Sequence, residues 1–545
     1  MDVSNEKLNL SGLLAKIRYI PLRSAGGLRG ALYEDTPLAR ERLTRLKARH
    51  PMAANCIFVA PKSRIQSLWA EALGPALTRH AREHLLETSP QFSAKTTAYR
   101  SQKMALLALT FVFVSWALIA LPSMLIALNV MFALFYAFVG LVRLASAFTP
   151  LPREVRSSSP PPRLSDEDLP IYTVLVPLYD EVEIVPELIA GLVGLDYPVD
   201  KLDIMILAES DDAATLSALA AQIMPPHISI IKVPPSHPRT KPKALNFALP
   251  LGRGSIFTIY DAEDKPEPDQ LRKAVWAFRE ADQRPGKPLG CVQAALTITN
   301  SERSFFTRHF AFEYMALFDA LLPALSQLDL PIPLGGTSNH FRRDALVACG
   351  GWDPYNVTED ADLGIRLARL GYRTQMIASS TREFAPVRFL PWLRQRSRWF
   401  KGWWQTWLVH MRHPLALAQR LGLGGFLTFQ MIMLGVLVSV LIHPFFFAFT
   451  VAALLGIAEP LVKADAGIIQ ALASINVANF FLGYLAAAAL GLRGAHRRGV
   501  KGVLSTLATI PVYWLFLSLG GFVALWELRW RPHHWHKTPH DHANV

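Results

Sequence analysis

Residues 171–212 read IYTVLVPLYDEVEIVPELIAGLVGLDYPVDKLDIMILAESDD, and this stretch decides the fold class. Its opening, Ile171 to Pro177, carries no charge and is rich in β-branched residues, the pattern of a strand buried on both faces. Val182 to Val193 follows with helical spacing, and Asp203 to Ala208 is a second strand. Strand, helix and strand at this spacing make a βαβ unit, which requires a parallel sheet. Further strands at Ile228 to Val233 and Ser255 to Tyr260, with a helix near Ala244 to Ala248 between them, continue the alternation. The predicted fold is therefore an α/β domain of the nucleotide-binding type.

Outward from this core the chain turns apolar. Met104 to Val142 holds no charged residue, nearly twice the run needed to cross ~30 Å of hydrocarbon, and reads as two helices turning at Pro122-Ser123. Arg100 and Lys103 before it, with Arg143, Arg153 and Arg156 after it, put both flanks on the cytoplasmic side. Ser157-Ser158-Ser159-Pro160-Pro161-Pro162 then reads as a linker. Three more uncharged runs follow, Leu421 to Ala458, Ala466 to Leu492 and Gly502 to Trp526. Counting two spans in the first of these, broken at His443-Pro444, gives six helices and sends the basic loop Arg493 to Lys501 outward. Counting one gives five and exports the basic tail Arg529 to Lys537. Six is the reading adopted, because both long polar segments and the tail then share one side.

The whole composition agrees with a membrane protein. Of 545 residues, 51% are hydrophobic and 18% charged, and the net charge is +13. Such a surplus suits an anionic membrane surface, a nucleotide or a nucleic acid about equally well, so charge alone does not choose. A nucleic-acid partner is not expected, since no basic groove with interleaved aromatics and no known module is found. The three cysteines, Cys56, Cys291 and Cys349, lie far apart and support neither a disulfide framework nor a zinc site. The opening sixteen residues are mixed and polar, so no cleaved signal peptide is expected. Helical periodicity covers Ile65 to Glu87.

In open parallel sheets, ligands bind beyond the carboxyl ends of the strands. Three strand ends here are acidic: Tyr179-Asp180-Glu181, Glu209-Ser210-Asp211-Asp212 and Tyr260-Asp261-Ala262-Glu263-Asp264. Helix capping explains one such cluster, whereas a hard cation shared with a diphosphate explains three. Downstream, Thr358-Glu359-Asp360-Ala361-Asp362 crowds a helix N-terminus, where a carboxylate is stabilised and can act as a general base. Gln395-Arg396-Ser397-Arg398-Trp399 then runs into Trp403, Trp404 and Trp407, joining guanidinium forks suited to phosphate with indole faces suited to sugar rings or to an interfacial belt.

In order, the strand-end acids, Asp261-Ala262-Glu263, Thr358-Glu359-Asp360 and Gln395-Arg396-Ser397-Arg398-Trp399 resemble the D, DxD, TED and QxxRW motifs of membrane-integrated family 2 glycosyltransferases. The similarity runs from about Tyr172 to His413 and includes Leu334-Gly335-Gly336-Thr337-Ser338-Asn339-His340. The group contains cellulose, curdlan and hyaluronan synthases, and the chain looks most similar to its bacterial exopolysaccharide members. The resemblance implies a GT-A-like, mostly parallel α/β domain lying between transmembrane helices. It implies a UDP-sugar donor and Mg²⁺ or Mn²⁺, with Asp261 and Glu263 as metal ligands. Asp264 is a rival ligand, because Glu263 stands where aspartate is usual. Asp360, with Glu359 beside it, would supply the base. Asp180, Glu209, Asp211, Lys241, Lys243 and Arg398 would meet the donor, and Gly336, Thr337, Gln395 and Trp399 the acceptor.

The domain plan that follows has a soluble region at 1–99, two transmembrane helices at 100–147 and a linker at 148–170. The transferase domain then occupies 171–400, an interfacial segment 401–424, three or four transmembrane helices 425–527, and a tail 528–545. The implied function is inverting, processive transfer that builds an exopolysaccharide at the bacterial inner membrane, with the catalytic domain cytosolic. Its partners would be the bilayer, the growing polysaccharide and accessory export proteins. The alternative is a single sugar placed on a lipid. Ala53 to Ser93 weakly resembles a leader domain that precedes some such transferases and can bind a cyclic dinucleotide. Without that domain's glycine-leucine repeat, a plain docking module is expected. The histidines from His533 to His542 read as a loose tail, not a metal site.

Overall fold

The computed structural model describes residues 19–24, 27–35, 37–49, 56–152, 155, 163–455 and 467–534. Its strands in chain order are β1 (Tyr19–Ser24), β2 (Gly27–Glu34), β3 (Ile57–Ala60), β4 (Tyr172–Leu178), β5 (Leu202–Glu209), β6 (Ile228–Val233), β7 (Ile256–Ile259), β8 (Lys265–Pro266), β9 (Leu289–Ile298), β10 (Asn339–Arg342) and β11 (Arg373–Glu383). The chain forms two compact units, Met1–Thr88 with Pro161–Trp276 and Thr337–Pro354, and Ser89–Pro160 with Ala277–Gly336 and Tyr355–Val545.

The first unit holds the α/β core. Within it the strands run in the order β6-β5-β4-β7-β10, parallel from β6 to β7, with β10 antiparallel to β7. Every residue of β5 and all but Pro177 of β4 are buried, which is why these segments read as continuous apolar runs. The connecting helices Val185–Val193, Ala213–Ala220 and Lys241–Ala248 complete a mostly parallel α/β domain.

The described residues before Thr88 pack into this unit. The buried Asp203 carboxylate of β5 pairs with Lys62 Nζ at 2.5 Å and accepts from Gln66 Nε2 at 2.9 Å and Thr173 Oγ1 at 3.0 Å. The single helix expected over Ile65 to Glu87 is two, Lys62–Ala72 and Gly74–Thr88. Gly74-Pro75 explains the break, since proline cannot donate into a continuing helix but starts a new one well.

The second unit holds β9, β11 and the long helices. β9 and β11 pair in parallel. Among the described residues four helices are long and apolar enough to cross a membrane: Arg100–Phe148, Pro414–Ala452, Gln470–Arg498 and Leu504–Trp530. The first breaks at Ala120 (φ −151°, ψ 65°), two residues before the expected turn at Pro122-Ser123. The expected break at His443-Pro444 is absent, because helix Val436–Leu454 runs through Pro444, so the described residues do not divide this run into two spans there. The interruption lies instead at Gly422 (φ +70°), inside helix Pro414–Phe429. The domain boundary placed at residue 400 falls inside helix Phe389–His410, so the motif Gln395–Trp399 and the tryptophans after it share one rigid element. The linker serines and prolines at 157–162 and the tail from Trp535 lie outside the described residues.

Candidate active site

The donor-side acids end the parallel strands of the first unit. Glu209 closes β5 and is paired with Lys243 Nζ at 2.6 Å, both side chains being buried. Burial pushes the Glu209 carboxyl up and the Lys243 ammonium down, each opposed by the partner's charge. Lys243 is therefore not a solvated loop charge, and Glu209 is committed to it through Oε1 while Oε2 is buried without a hydrogen-bond partner among the described residues. Asp211 pairs with Arg239, which also donates to the Tyr179 hydroxyl at 3.0 Å. Asp180 follows β4 at φ +56°, and its N–H donates to Asp212 Oδ2 at 2.6 Å. Asp212 also caps helix Ala213–Ala220 through Thr215 N–H at 3.1 Å, so the fourth acid of that cluster shapes the loop.

Beyond β7, Lys241 Nζ lies 2.5 Å from Asp261 Oδ1. Asp264 turns inward: its Oδ2 accepts the Asp261 N–H at 2.6 Å and the Thr337 hydroxyl. Asp264, the rival metal ligand, thus holds the turn that presents Asp261. Thr337, expected on the acceptor side, is 1% exposed and also donates to the Ile259 carbonyl at 3.1 Å. Both contacts have one cause, a tight strand-end turn whose N–H and hydroxyl need buried acceptors.

Among the described residues no group of three or more His, Cys, Asp or Glu side chains is arranged to hold a metal ion. Asp261 and Glu263 are nevertheless oxygen donors left partly exposed by the turn. One or two carboxylates completed by phosphate oxygens are how Mg²⁺-type ions are usually held, so the pair fits a cation shared with a diphosphate and not a closed protein cage.

In the second unit, helix Glu359–Arg369 carries Glu359, Asp360 and Asp362 in its first turn and Arg366 and Arg369 in its last, complementing its dipole at both ends. Asp362 is fully buried, 2.8 Å from Arg366 Nε and 3.1 Å from His410 Nε2. Burial opposes its charge, but Arg366 and the His410 hydrogen bond prevail and hold the carboxyl below its ordinary value. Glu359 is 9% exposed. Asp360 is more open, with Oδ1 accepting the Ala361 N–H at 2.7 Å. A Cβ at Gly336 would stand 3.2 Å from Asp360 Oδ2, so glycine there lets the backbone approach the carboxylate.

Helix Phe389–His410 is locked to the segment before this turn. Gln405 Oε1 accepts the Val357 N–H at 3.1 Å, and Asn356 Nδ2 donates to Thr406 Oγ1 at 3.0 Å. A Cβ at Gly402 would stand 2.3 Å from Thr358 Oγ1, so only glycine fits this contact. Gln395 is 9% exposed, and its Oε1 is buried with no hydrogen-bond partner among the described residues. Arg398 and Trp399 are half-buried. Arg396 is structural: it donates to Glu313 Oε2 at 2.5 Å and the Tyr513 hydroxyl at 3.2 Å and sits over the Trp399 ring. Arg239, Glu313 and Tyr513 were missed by the motif reading because each lies far in sequence from the residue it serves.

Residues 256–462 match the family described as Glycosyl transferase family group 2. A beta-monoglucosyldiacylglycerol synthase of Trichormus variabilis is 27% identical over 261 residues, 47% of this chain and 53% of the relative. A probable glucomannan 4-beta-mannosyltransferase of Arabidopsis thaliana is 24% identical over 247 residues, 44% of this chain and 55% of the relative. The chain spans about half the length of these relatives. Among solved structures, the mannosyltransferase PcManGT from Pyrobaculum calidifontis in complex with GDP-Man and Mn²⁺ is 22% identical with a TM-score of 0.41, covering 74% of this chain and 99% of that one. Over residues 256–462 the chain is thus similar to family 2 glycosyltransferases.

Proposed function

We propose that the chain is an inverting glycosyltransferase that takes a UDP-sugar at the cytosolic face of the bacterial inner membrane and adds it to a growing β-linked exopolysaccharide. The observation that carries the reading is the chemistry of Asp360, a partly open carboxylate in the first turn of a helix, locked beside the helix bearing Gln395, Arg398 and Trp399. Asp360 takes the proton of the acceptor hydroxyl as its oxygen bonds to the anomeric carbon and the bond to the diphosphate breaks on the opposite face. Configuration inverts, and no covalent enzyme intermediate forms. Lys241 and Arg398 neutralise charge growing on the departing diphosphate. A Mg²⁺ or Mn²⁺ ion held by Asp261 and Glu263 would add charge neutralisation at the same group. The buried Gln395 Oε1 is positioned to accept from a sugar hydroxyl, and the Trp399 indole offers an apolar face over which a chain can slide.

A second reading, one sugar placed on a lipid, is favoured by the relative named as a beta-monoglucosyldiacylglycerol synthase. Purified protein supplied with each UDP-sugar, scored for released UDP and for product length by gel filtration, separates the two. Long products support polymerisation, a single glycolipid promotes the second reading, and absence of UDP release with every donor defeats both.

A further inference from the structure

Helix Leu504–Trp530 is long enough to cross a bilayer, at ~40 Å for an α-helix of its length, yet it is held at both ends by elements that lie outside the membrane. At its N-terminal end, Thr509 Oγ1 lies 3.0 Å from His309 Nε2. Just before it, Arg498 donates to the Leu296 carbonyl of β9 at 2.8 Å and to Asp319 Oδ2 at 2.6 Å. At its C-terminal end, Glu527 Oε2 pairs with the buried Lys401 Nζ at 2.7 Å. Gln405 Nε2 donates to the Pro532 carbonyl at 3.0 Å, and His533 Nδ1 lies 2.9 Å from the carbonyl of Tyr355, three residues before Thr358. Between these ends the helix runs along helix Phe389–His410, with Tyr513 on Arg396 and a Cβ at Gly520 3.5 Å from Arg396 Cβ.

β9, His309 and Tyr355 lie within residues 171–400, which on the proposed function form the cytosolic transferase domain, so a helix touching them at both ends cannot leave on the far side of ~30 Å of hydrocarbon. We infer that Leu504–Trp530 lies along the membrane surface on the catalytic side and does not cross. Leu504, Val512, Leu519, Phe522, Trp526 and Trp530 are exposed and form one helical stripe. That stripe faces the lipid, and Trp526 and Trp530, flanked by Arg529 and Arg531, sit at headgroup level. The arrangement removes the conflict between the two basic segments. With this helix in the interface, both the loop Arg493 to Lys501 and the tail after Trp530 stay on the catalytic side, which neither five nor six crossings allowed.

The test uses the full chain with Cys56→Ser, made in cells converted to spheroplasts, and a membrane-impermeant maleimide. Single cysteines are placed by Val500→Cys, by His540→Cys and, as a reference next to the first membrane helix, by Ser101→Cys. The expected result is that all three are unlabelled in intact spheroplasts and labelled once the membrane is opened. Labelling of His540→Cys opposite to Ser101→Cys would mean that the helix crosses. Labelling of Val500→Cys opposite to Ser101→Cys would put the loop on the far side. Either overturns the inference. Should a cysteine stay unlabelled after opening, the full chain fused at its C-terminus to green fluorescent protein or to alkaline phosphatase decides. Fluorescence without phosphatase activity is expected, and phosphatase activity overturns the inference.

Discussion

Asp360 and Asp362 stand two residues apart and have opposite fates, because one faces outward from the first helical turn and the other is pinned between Arg366 and His410. On the proposed function, only the first exchanges a proton with an acceptor. Asp360→Asn keeps the shape and removes the basicity, so turnover should fall by ~10²–10⁴ while UDP affinity is unchanged. Initial rates of UDP release together with UDP binding by calorimetry check this, and near-normal turnover removes Asp360 from the role. A second residue, His340, contributes to acid sensitivity. His340 is buried between the Tyr172 hydroxyl at 2.6 Å and Gln270 Oε1 at 3.2 Å, and burial pulls its imidazole down to about 3. The unfolded chain therefore takes up a proton below about pH 6.5 that the folded chain refuses. Stability from this residue falls by about 1.4 kcal/mol per pH unit as pH drops from there toward 3. Thermal midpoints measured from pH 7 to pH 5 should decline less steeply in His340→Gln than in the wild type.

At the level of elements, the contact between Gly402 and Thr358 ties the aromatic helix to the turn that presents the base. Gly402→Ala should displace that helix, at a cost of about 1–3 kcal/mol from overpacking, and cut turnover more than donor affinity. Thr358→Ala removes the two nearest atoms but leaves its own Cβ 2.8 Å from the new methyl, so the double variant should recover only part of the loss. If Gly402→Ala alone is fully active, the contact does not position the site. The elements themselves were legible in sequence wherever one period dominated, as in β4 and β5, whose burial on both faces leaves only apolar runs. The break at His443-Pro444 was misread because proline removes one N–H, which a helix packed among others tolerates, whereas the positive φ at Gly422 truly ends a helical path. Asp264 and Thr337 show what sequence does not carry: their residue types match ligands, and only the turn geometry shows that Asp264 Oδ2 and the Thr337 hydroxyl also hold the backbone and each other.

For the molecule as a whole, the prediction concerns the divalent ion. Excess chelator should abolish UDP release, and Mn²⁺ or Mg²⁺ should restore it, because Asp261 and Glu263 offer only hard oxygen donors. Unchanged activity in chelator would leave the diphosphate to Lys241 and Arg398 alone. The whole was also where sequence reading was weakest. Hydropathy measures whether a segment can cross a bilayer, and the polar contacts that decide whether it does lie hundreds of residues away along the chain.

Arg412 gives this distance a time. Its guanidinium donates to the carbonyls of Pro90 at 3.1 Å, Gln91 at 2.9 Å and Ser93 at 3.0 Å, and also to that of Thr96, the stretch that leads into the first membrane helix. Arg412 follows Ser93 by 319 positions. At a synthesis rate of ~5–20 residues per second, those carbonyls wait on the order of 16 to 64 seconds for the group that ties them down. During that interval the carbonyls of Gln91, Ser93 and Thr96 lack the guanidinium that ties them down. A chaperone or protease acting on the nascent chain would find this seam open, and the last third of the message is what closes it.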